Sequence, residues 1–175
     1  MTAIAQTTPR RRSVLQPLFL WGAAAIFAPV TAALAVALAR GRPLPWQFHM
    51  PWVSPHIVVA LLALALGALQ LALPKGDRRH RMMGYAWCTL MGAIAVSGLM
   101  VQLDPGHVTL IHMASSAFAV ADLILLPIVI YAGRTGRRRL HRAAALGMLA
   151  CLLNAGALAF IPQRAVGALI LGLFH

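Results

Sequence analysis

Five runs of apolar residues alternate with short polar segments along this chain of 175 residues. The runs cover residues 18–38, 56–73, 82–103, 109–132 and 143–161. A helix needs about 20 apolar residues to cross ~30 Å of hydrocarbon, and it satisfies its own backbone hydrogen bonds where no water can. The pattern therefore predicts an all-α integral membrane protein with five transmembrane helices.

The segments between these runs are too short to hold a soluble domain. Hydrophobic residues make up 61% of the chain and charged residues 10%, which excludes an ordinary soluble fold. We predict a disordered cytoplasmic N-terminus over residues 1–14 and one helical bundle over residues 15–175. In that bundle, predicted helices 2 to 5 form a four-helix core and the first helix is peripheral.

The basic residues explain the formal net charge of +12 and also predict the topology. Most of them fall at residues 10–12, 75–81 and 134–142, which share one side of the membrane if there are five spans. The other side receives only Arg40, Arg42 and Arg164. This positive-inside bias predicts an inner (cytoplasmic) membrane protein with a cytoplasmic N-terminus and a periplasmic C-terminus. Because the arginines face an anionic lipid surface, we expect no nucleic-acid partner.

Four histidines lie at or near the start of the last four apolar runs: His56, His80, His112 and His141. Since successive helices run in opposite directions, His56 and His112 lie at the outer face, and His80 and His141 lie at the cytoplasmic face. Two imidazoles that face each other across a helix bundle can hold a haem iron from both sides. The spacing therefore predicts two stacked haem b groups, with one histidine pair for each.

Other interpretations of the histidines stay open. His80 and His141 each precede an arginine, and at that depth both side chains could instead contact lipid headgroups. His112 is the strongest ligand candidate, because it lies about a turn inside its run, where an unpaired imidazole is costly. A single haem or metal site, or a purely structural role, also fits the pattern. An outer copper or zinc site would use His49, His56, His107 and His112.

Asp122 lies near the middle of the apolar run 109–132. An ionisable residue at such a depth is a functional candidate, here a proton carrier or a contact for a quinol. A structural role is the alternative, with a buried polar contact to Gln70 or Asn154 of neighbouring helices.

Motifs from four of the predicted helices resemble, in the right order, the bacterial membrane proteins grouped as domain of unknown function 2306. The motifs are His56 with 67–71, Pro74-Lys75-Gly76 followed by His80-Arg81 and Gly84, Ile111-His112, and His141-Arg142 with 160–164. The resemblance covers about residues 56 to 175 and leaves the first helix outside. It implies a membrane protein and assigns no activity.

The histidine arrangement is also similar to that of cytochrome b-561-type proteins, in which histidines of four consecutive helices hold two b haems. Carried over by position, His56 and His112 would bind the outer haem, and His80 and His141 the cytoplasmic one. The likeness is one of arrangement only, and no ascorbate-binding or iron-reducing motif accompanies it. It implies an electron carrier.

We therefore interpret the chain as a membrane b-type cytochrome, an oxidoreductase linked to a quinol or another small reductant, with a quinone as a further cofactor. The alternative is a non-catalytic accessory or assembly subunit of a larger membrane complex. In that case the aromatic outer loop at residues 40–55 would be its interface or a membrane anchor. A small transporter is a third interpretation, which rests on Asp122 and Asn154.

Overall fold

The chain forms five α-helices in a computed structural model that describes residues 15–40, 53–102 and 110–161. They are α1 Leu15–Ala39, α2 Val53–Ala72, α3 Arg78–Gln102, α4 Leu110–Arg134 and α5 Arg138–Leu158. Helices α2 to α5 are each long and apolar enough to cross a membrane, whereas the described apolar stretch of α1, Leu20–Ala33, is shorter. The all-α membrane fold is confirmed. The predicted disordered N-terminus and the last residues of the predicted bundle, 162–175, lie outside the described residues.

Helices α2 to α5 form a closed ring. Each packs on the next in the chain, and α2 also contacts α5, so that α2 and α4, and α3 and α5, lie on the two diagonals. Helix α1 packs outside this ring, against α2 and α5. Small residues allow this approach: a methyl group added to Gly156 of α5 would lie 3.1 Å from Ile26 Cδ1. The predicted four-helix core with one peripheral helix is confirmed.

The interior of the ring is packed with apolar side chains, among which Met91 and Met148 are completely buried. Trp87 of α3 is also buried, and its indole Nε1–H donates a hydrogen bond of 3.0 Å to the Ala63 carbonyl of α2. Gly67 makes room for this indole, because a methyl group there would come within 2.9 Å of Trp87 Nε1. Large apolar side chains such as Leu62 and Ile124 point outward, as they do in a bundle whose solvent is lipid.

The two described connections, residues 73–77 and 135–137, lie at the same end of the bundle. Each contains a glycine with positive φ, Gly76 at 92° and Gly136 at 71°, a backbone conformation that costs glycine little. Asp77 caps α3, because its carboxylate accepts a 2.7 Å hydrogen bond from the His80 backbone N–H. Most cations of the described chain lie around these two turns, so we call this the basic end. The end where α2 and α4 begin is the far end.

Candidate functional site

Each of the four predicted histidines lies in the first turn of its helix. His80 and His112 are the third residues of α3 and α4, and His56 and His141 are the fourth residues of α2 and α5. His80 and His141 therefore lie at the basic end, and His56 and His112 at the far end, which agrees with the sequence pattern. The N-terminal end of a helix dipole opposes a positive charge, and a neutral imidazole is the form that binds metals.

The rings of His80 and His141 come together across the α3–α5 diagonal. Their centroids lie 6.4 Å apart, with ring planes at 80° to each other. An imidazole nitrogen lies about 2 Å from a bound transition metal and the ring centre a further ~1 Å away, so two imidazoles on one metal ion have centroids about 6 Å apart. The separation of this pair therefore fits one metal ion held between the two rings.

The orientation of the His141 ring is set by α4. Its Nδ1 lies 2.9 Å from the Val129 carbonyl oxygen. A carbonyl only accepts hydrogen bonds, so Nδ1 carries the hydrogen and Nε2 of the neutral ring keeps a lone pair for a ligand. Gly133, one turn further along α4, leaves room for the ring, since a methyl group there would lie 3.1 Å from Nδ1.

His80 lies beside polar atoms that lack partners. In the described part of the chain, its buried Nδ1 has no hydrogen-bond partner, and neither does the buried Oε1 of Gln70. The Gln70 amide Nε2 lies against the same turn and donates to the His80 carbonyl over 3.4 Å. Lys75 Nζ donates to the Gln70 carbonyl. The basic end thus holds hydrogen-bonding capacity next to the histidine pair.

Two arginines at the basic end are held against tyrosine rings. Arg134 Nε donates to the Tyr85 hydroxyl over 3.2 Å, and its guanidinium carbon lies 5.7 Å from the centre of that ring. The guanidinium of Arg137 lies 5.3 Å from the centre of the Tyr131 ring. Guanidinium groups of this kind bind carboxylates and phosphates well. Either an anionic lipid headgroup or the acidic substituents of a cofactor would find complementary charge here.

At the far end, His56 is oriented in the same manner as His141. Its Nδ1 lies 2.8 Å from Ser97 Oγ of α3. The Ser97 hydroxyl lies 2.6 Å from the Ala93 carbonyl, which takes the hydroxyl proton, so the serine oxygen accepts from His56 Nδ1–H. Gly98 again leaves room for the ring, since a methyl group there would lie 3.3 Å from His56 Cε1. As in His141, Nδ1 therefore carries the hydrogen of the neutral ring.

His112 is half-buried at the far end, and its carbonyl accepts a 2.9 Å hydrogen bond from Ser116 Oγ. Its pairing with His56 on one haem stays a prediction. The hypothesis of an outer copper or zinc site also stays a prediction, because His49 and His107 lie outside the described residues. Within the described ranges, no group of three or more His, Cys, Asp or Glu side chains could hold a metal ion.

Asp122 is buried in the bundle, with 4% of its surface exposed. The predicted contact with Asn154 or Gln70 is wrong. Asn154 is exposed and donates to the Ala150 carbonyl of its own helix, and the Gln70 amide donates to His80 at the basic end. Both amides are thus used elsewhere.

The sequence pattern does not identify the groups that orient the histidines: Ser97, Gly98, Val129 and Gly133. The sequence carries only a signal for their level along the bundle: antiparallel pairing about the turn at 73–77 places His56 opposite residue 94, one helical turn from Ser97. The same count about the turn at 135–137 places His141 opposite the segment between Val129 and Gly133.

An apolar groove of about 220 Å³ lies between α1 and α2, away from the histidines. Its lining contains no polar side chain and consists of Leu20, Ala23, Ala24, Phe27, Leu64, Ala65 and Ala68. Such a surface matches a lipid chain better than it matches a reacting group.

Comparison with known proteins agrees with the membrane fold. No curated protein and no solved structure matches the chain. A family model described as "Predicted membrane protein (DUF2306)" matches residues 53–171, a stretch that contains α2 to α5 and all four histidines. The chain therefore belongs to this family of membrane proteins, domain of unknown function 2306.

Proposed function

We propose that this protein is a membrane b-type cytochrome that carries electrons between the two faces of the bilayer. The observation that carries the proposal is the pair of imidazoles from His80 and His141, whose centroids lie 6.4 Å apart across the diagonal of the bundle. A bundle that presents two histidines across its diagonal has the ligand set of a six-coordinate haem iron.

Each end of the bundle would hold one haem with its own pair of histidines. His80 and His141 would hold the haem of the basic end, and His56 and His112 that of the far end. When bound, haem supplies reversible one-electron chemistry. The Val129 carbonyl fixes the His141 ring from α4 and leaves its Nε2 for the iron. The unpartnered buried atoms beside His80 and the neighbouring arginines would complement a polar, anionic cofactor edge.

Two sites at opposite ends would lie in separate leaflets. His56 is level with Ser97, which lies 17 residues beyond His80 on α3. At 1.5 Å per residue this corresponds to ~25 Å along the helix axis. In the proposed orientation the basic end is cytoplasmic, as the positive-inside rule requires for an inner membrane protein, and the C-terminus is periplasmic. The donor would be a quinol or another small reductant.

The test is a visible spectrum of the detergent-purified protein, recorded oxidised and then reduced with dithionite, with a pyridine haemochrome assay to count haem per chain. We expect the bands of six-coordinate b haem at about two haems per chain. The His49→Ala variant, which changes a histidine outside the four, should retain both.

A protein that is folded and colourless after expression with ample haem would contradict the proposal. If that colourless protein also co-purifies with a larger membrane complex in fixed ratio, the accessory-subunit interpretation takes its place.

A further inference from the structure

Asp122 is an acid in the middle of the membrane-spanning bundle. The chain contains three acidic residues, of which Asp77 caps a helix at the basic end and Asp104 precedes α4. Asp122 instead lies halfway along α4, 12 residues from either end, or ~18 Å at 1.5 Å per residue. With 4% of its surface exposed, it is removed from water and from lipid headgroups.

The carboxyl group of Asp122 lacks the partners that a structural polar residue has. Its Oδ1 is buried and has no hydrogen-bond partner in the described part of the chain. Buried polar groups in folded proteins are almost always paired, and those that are not call for an explanation. No lysine, arginine or histidine forms an ion pair with Asp122 within the described residues, so the carboxyl does not serve as a counter-ion there.

The polar groups that the described residues place near Asp122 carry no charge. Cys151 of α5 lies within electrostatic range of the carboxyl. Pro127 lies inside α4 and has no backbone N–H, so the Leu123 carbonyl, next to Asp122, lacks its usual helical donor. On the other helices of the ring, the nearest titratable side chains are Cys88 on α3, toward the basic end, and His56 on α2, held on Ser97. An acid, a thiol and a carbonyl without its helical donor therefore lie at mid-depth in the membrane-spanning bundle.

We propose that Asp122 is a proton-binding site at the centre of the bilayer, whose carboxylate takes up one proton to become the neutral acid and later releases it. Burial in hydrocarbon makes the ionised form costly, so the neutral acid is the resting form. A metal cation fits this place less well, because two carboxylate oxygens and one carbonyl fall short of the six or more oxygen ligands that a hard divalent cation takes. This site extends beyond electron transfer and does not depend on haem.

Infrared spectroscopy of the purified protein tests the proposal, with or without haem. Exposed aspartates titrate near pH 3.9, so at neutral pH a protonated carboxylic acid band can come only from a buried acid. We expect such a band in the wild-type protein at neutral pH. It should vanish in Asp122→Asn and persist in Asp77→Asn, the matched control at the basic end.

Reversible binding further requires that the band disappear as the pH is raised, by tenfold per pH unit once the midpoint is passed, and return on acidification. A wild-type protein without the band at neutral pH would show that Asp122 is ionised, which overturns the proposal. A band that survives unchanged up to the highest pH at which circular dichroism still reports a folded bundle would also overturn it, since the acid would then be permanently neutral. The wild-type titration decides the matter even if Asp122→Asn does not fold.

Discussion

The basic end and the far end of the bundle use the same device to orient a histidine. At the basic end, His141 of α5 contacts α4, where the Val129 carbonyl accepts a hydrogen bond from its Nδ1. At the far end, His56 of α2 contacts α3, where the Ser97 hydroxyl oxygen accepts a hydrogen bond from His56 Nδ1. In both cases the imidazole of one helix is fixed by the other helix of the same hairpin. Two hairpins with this device place an oriented imidazole near each membrane surface.

The two ends differ in charge and in what holds the ring. At the basic end the acceptor is a main-chain carbonyl and the surroundings include Arg134 and Arg137. At the far end the acceptor is a side-chain hydroxyl, Ser97, and Arg40, just after α1, is the one described cation that lies outside the basic end. A nearby cation stabilises a reduced centre relative to its oxidised form. A cofactor at the basic end would therefore have the higher reduction potential of the two.

The largest expected effect comes from removing one histidine at each end. If the ends hold separate haems, His80→Ala and His141→Ala should each reduce the haem content from about two to about one per chain, because each removes a ligand of the same iron. The double variant His80→Ala/His141→Ala should lose no more than either single variant. Adding His56→Ala to His141→Ala should abolish the remaining haem. Pyridine haemochrome assays on the folded variants measure all four quantities.

Equal and additive losses from His80→Ala and His141→Ala would instead show that the two rings do not serve one site. A loss in His56→Ala that reproduces the spectrum of His141→Ala would show that the ends are not independent.

The sequence predicted the number and order of the helices, because apolar runs of bilayer length leave a chain few alternatives. It placed the starts of two helices too late. The apolar runs begin at residues 82 and 143, whereas α3 begins at Arg78 and α5 at Arg138. Apolarity marks the part of a helix that lies in hydrocarbon, and the arginines add a helical turn in the interfacial region. This extra turn places His80 and His141 inside their helices.

The contacts of the site could not be predicted in the same way. The sequence identified His80 and His141 as a pair, and the diagonal of a four-helix core brings them together. The positions that orient the rings depend on how each helix is rotated about its axis, and that rotation is set by packing across the ring. Trp87 against Gly67 and Leu149 against Gly67 are examples of such contacts. Apolar faces all around a lipid-exposed helix leave this rotation undetermined in the sequence.

A smaller effect is expected when the glycines that contact the two histidine rings, Gly133 and Gly98, are replaced by alanine. In Gly133→Ala the new methyl group would lie 3.1 Å from His141 Nδ1, and in Gly98→Ala it would lie 3.3 Å from His56 Cε1. Overpacking of this kind costs about 1–3 kcal/mol, so both variants should lower the thermal midpoint in detergent, Gly133→Ala more than Gly98→Ala. The control is Gly92→Ala, whose methyl group would make an ordinary contact at 3.6 Å with Leu126 Cδ1.

All three glycine variants gain the same preference of alanine for a helix, so differences among them report the contact with the ring. If Gly133→Ala and Gly98→Ala unfold at the same temperature as Gly92→Ala, neither histidine is held as tightly as the distances indicate.

The smallest effect is expected from Ser97→Ala, which removes the hydrogen-bond acceptor of His56. The corresponding acceptor of His141 is the main-chain carbonyl of Val129, which no side-chain substitution removes. The variant deletes the acceptor that lies 2.8 Å from His56 Nδ1 and leaves the rest of α3 in place. Loss of one such hydrogen bond costs about 1 kcal/mol, so the protein should stay folded with a slightly lower thermal midpoint. In a haem-loaded protein, the reduction potential of the far-end haem should shift and that of the basic-end haem should stay constant, as redox titration can show.

Thr89→Ala serves as the control for Ser97→Ala, since the Thr89 hydroxyl donates only to the Tyr85 carbonyl of its own helix, as a serine or threonine in a membrane helix commonly does. Equal effects of Ser97→Ala and Thr89→Ala would mean that the Ser97 hydroxyl only bonds the Ala93 carbonyl of its own helix and does not orient the histidine.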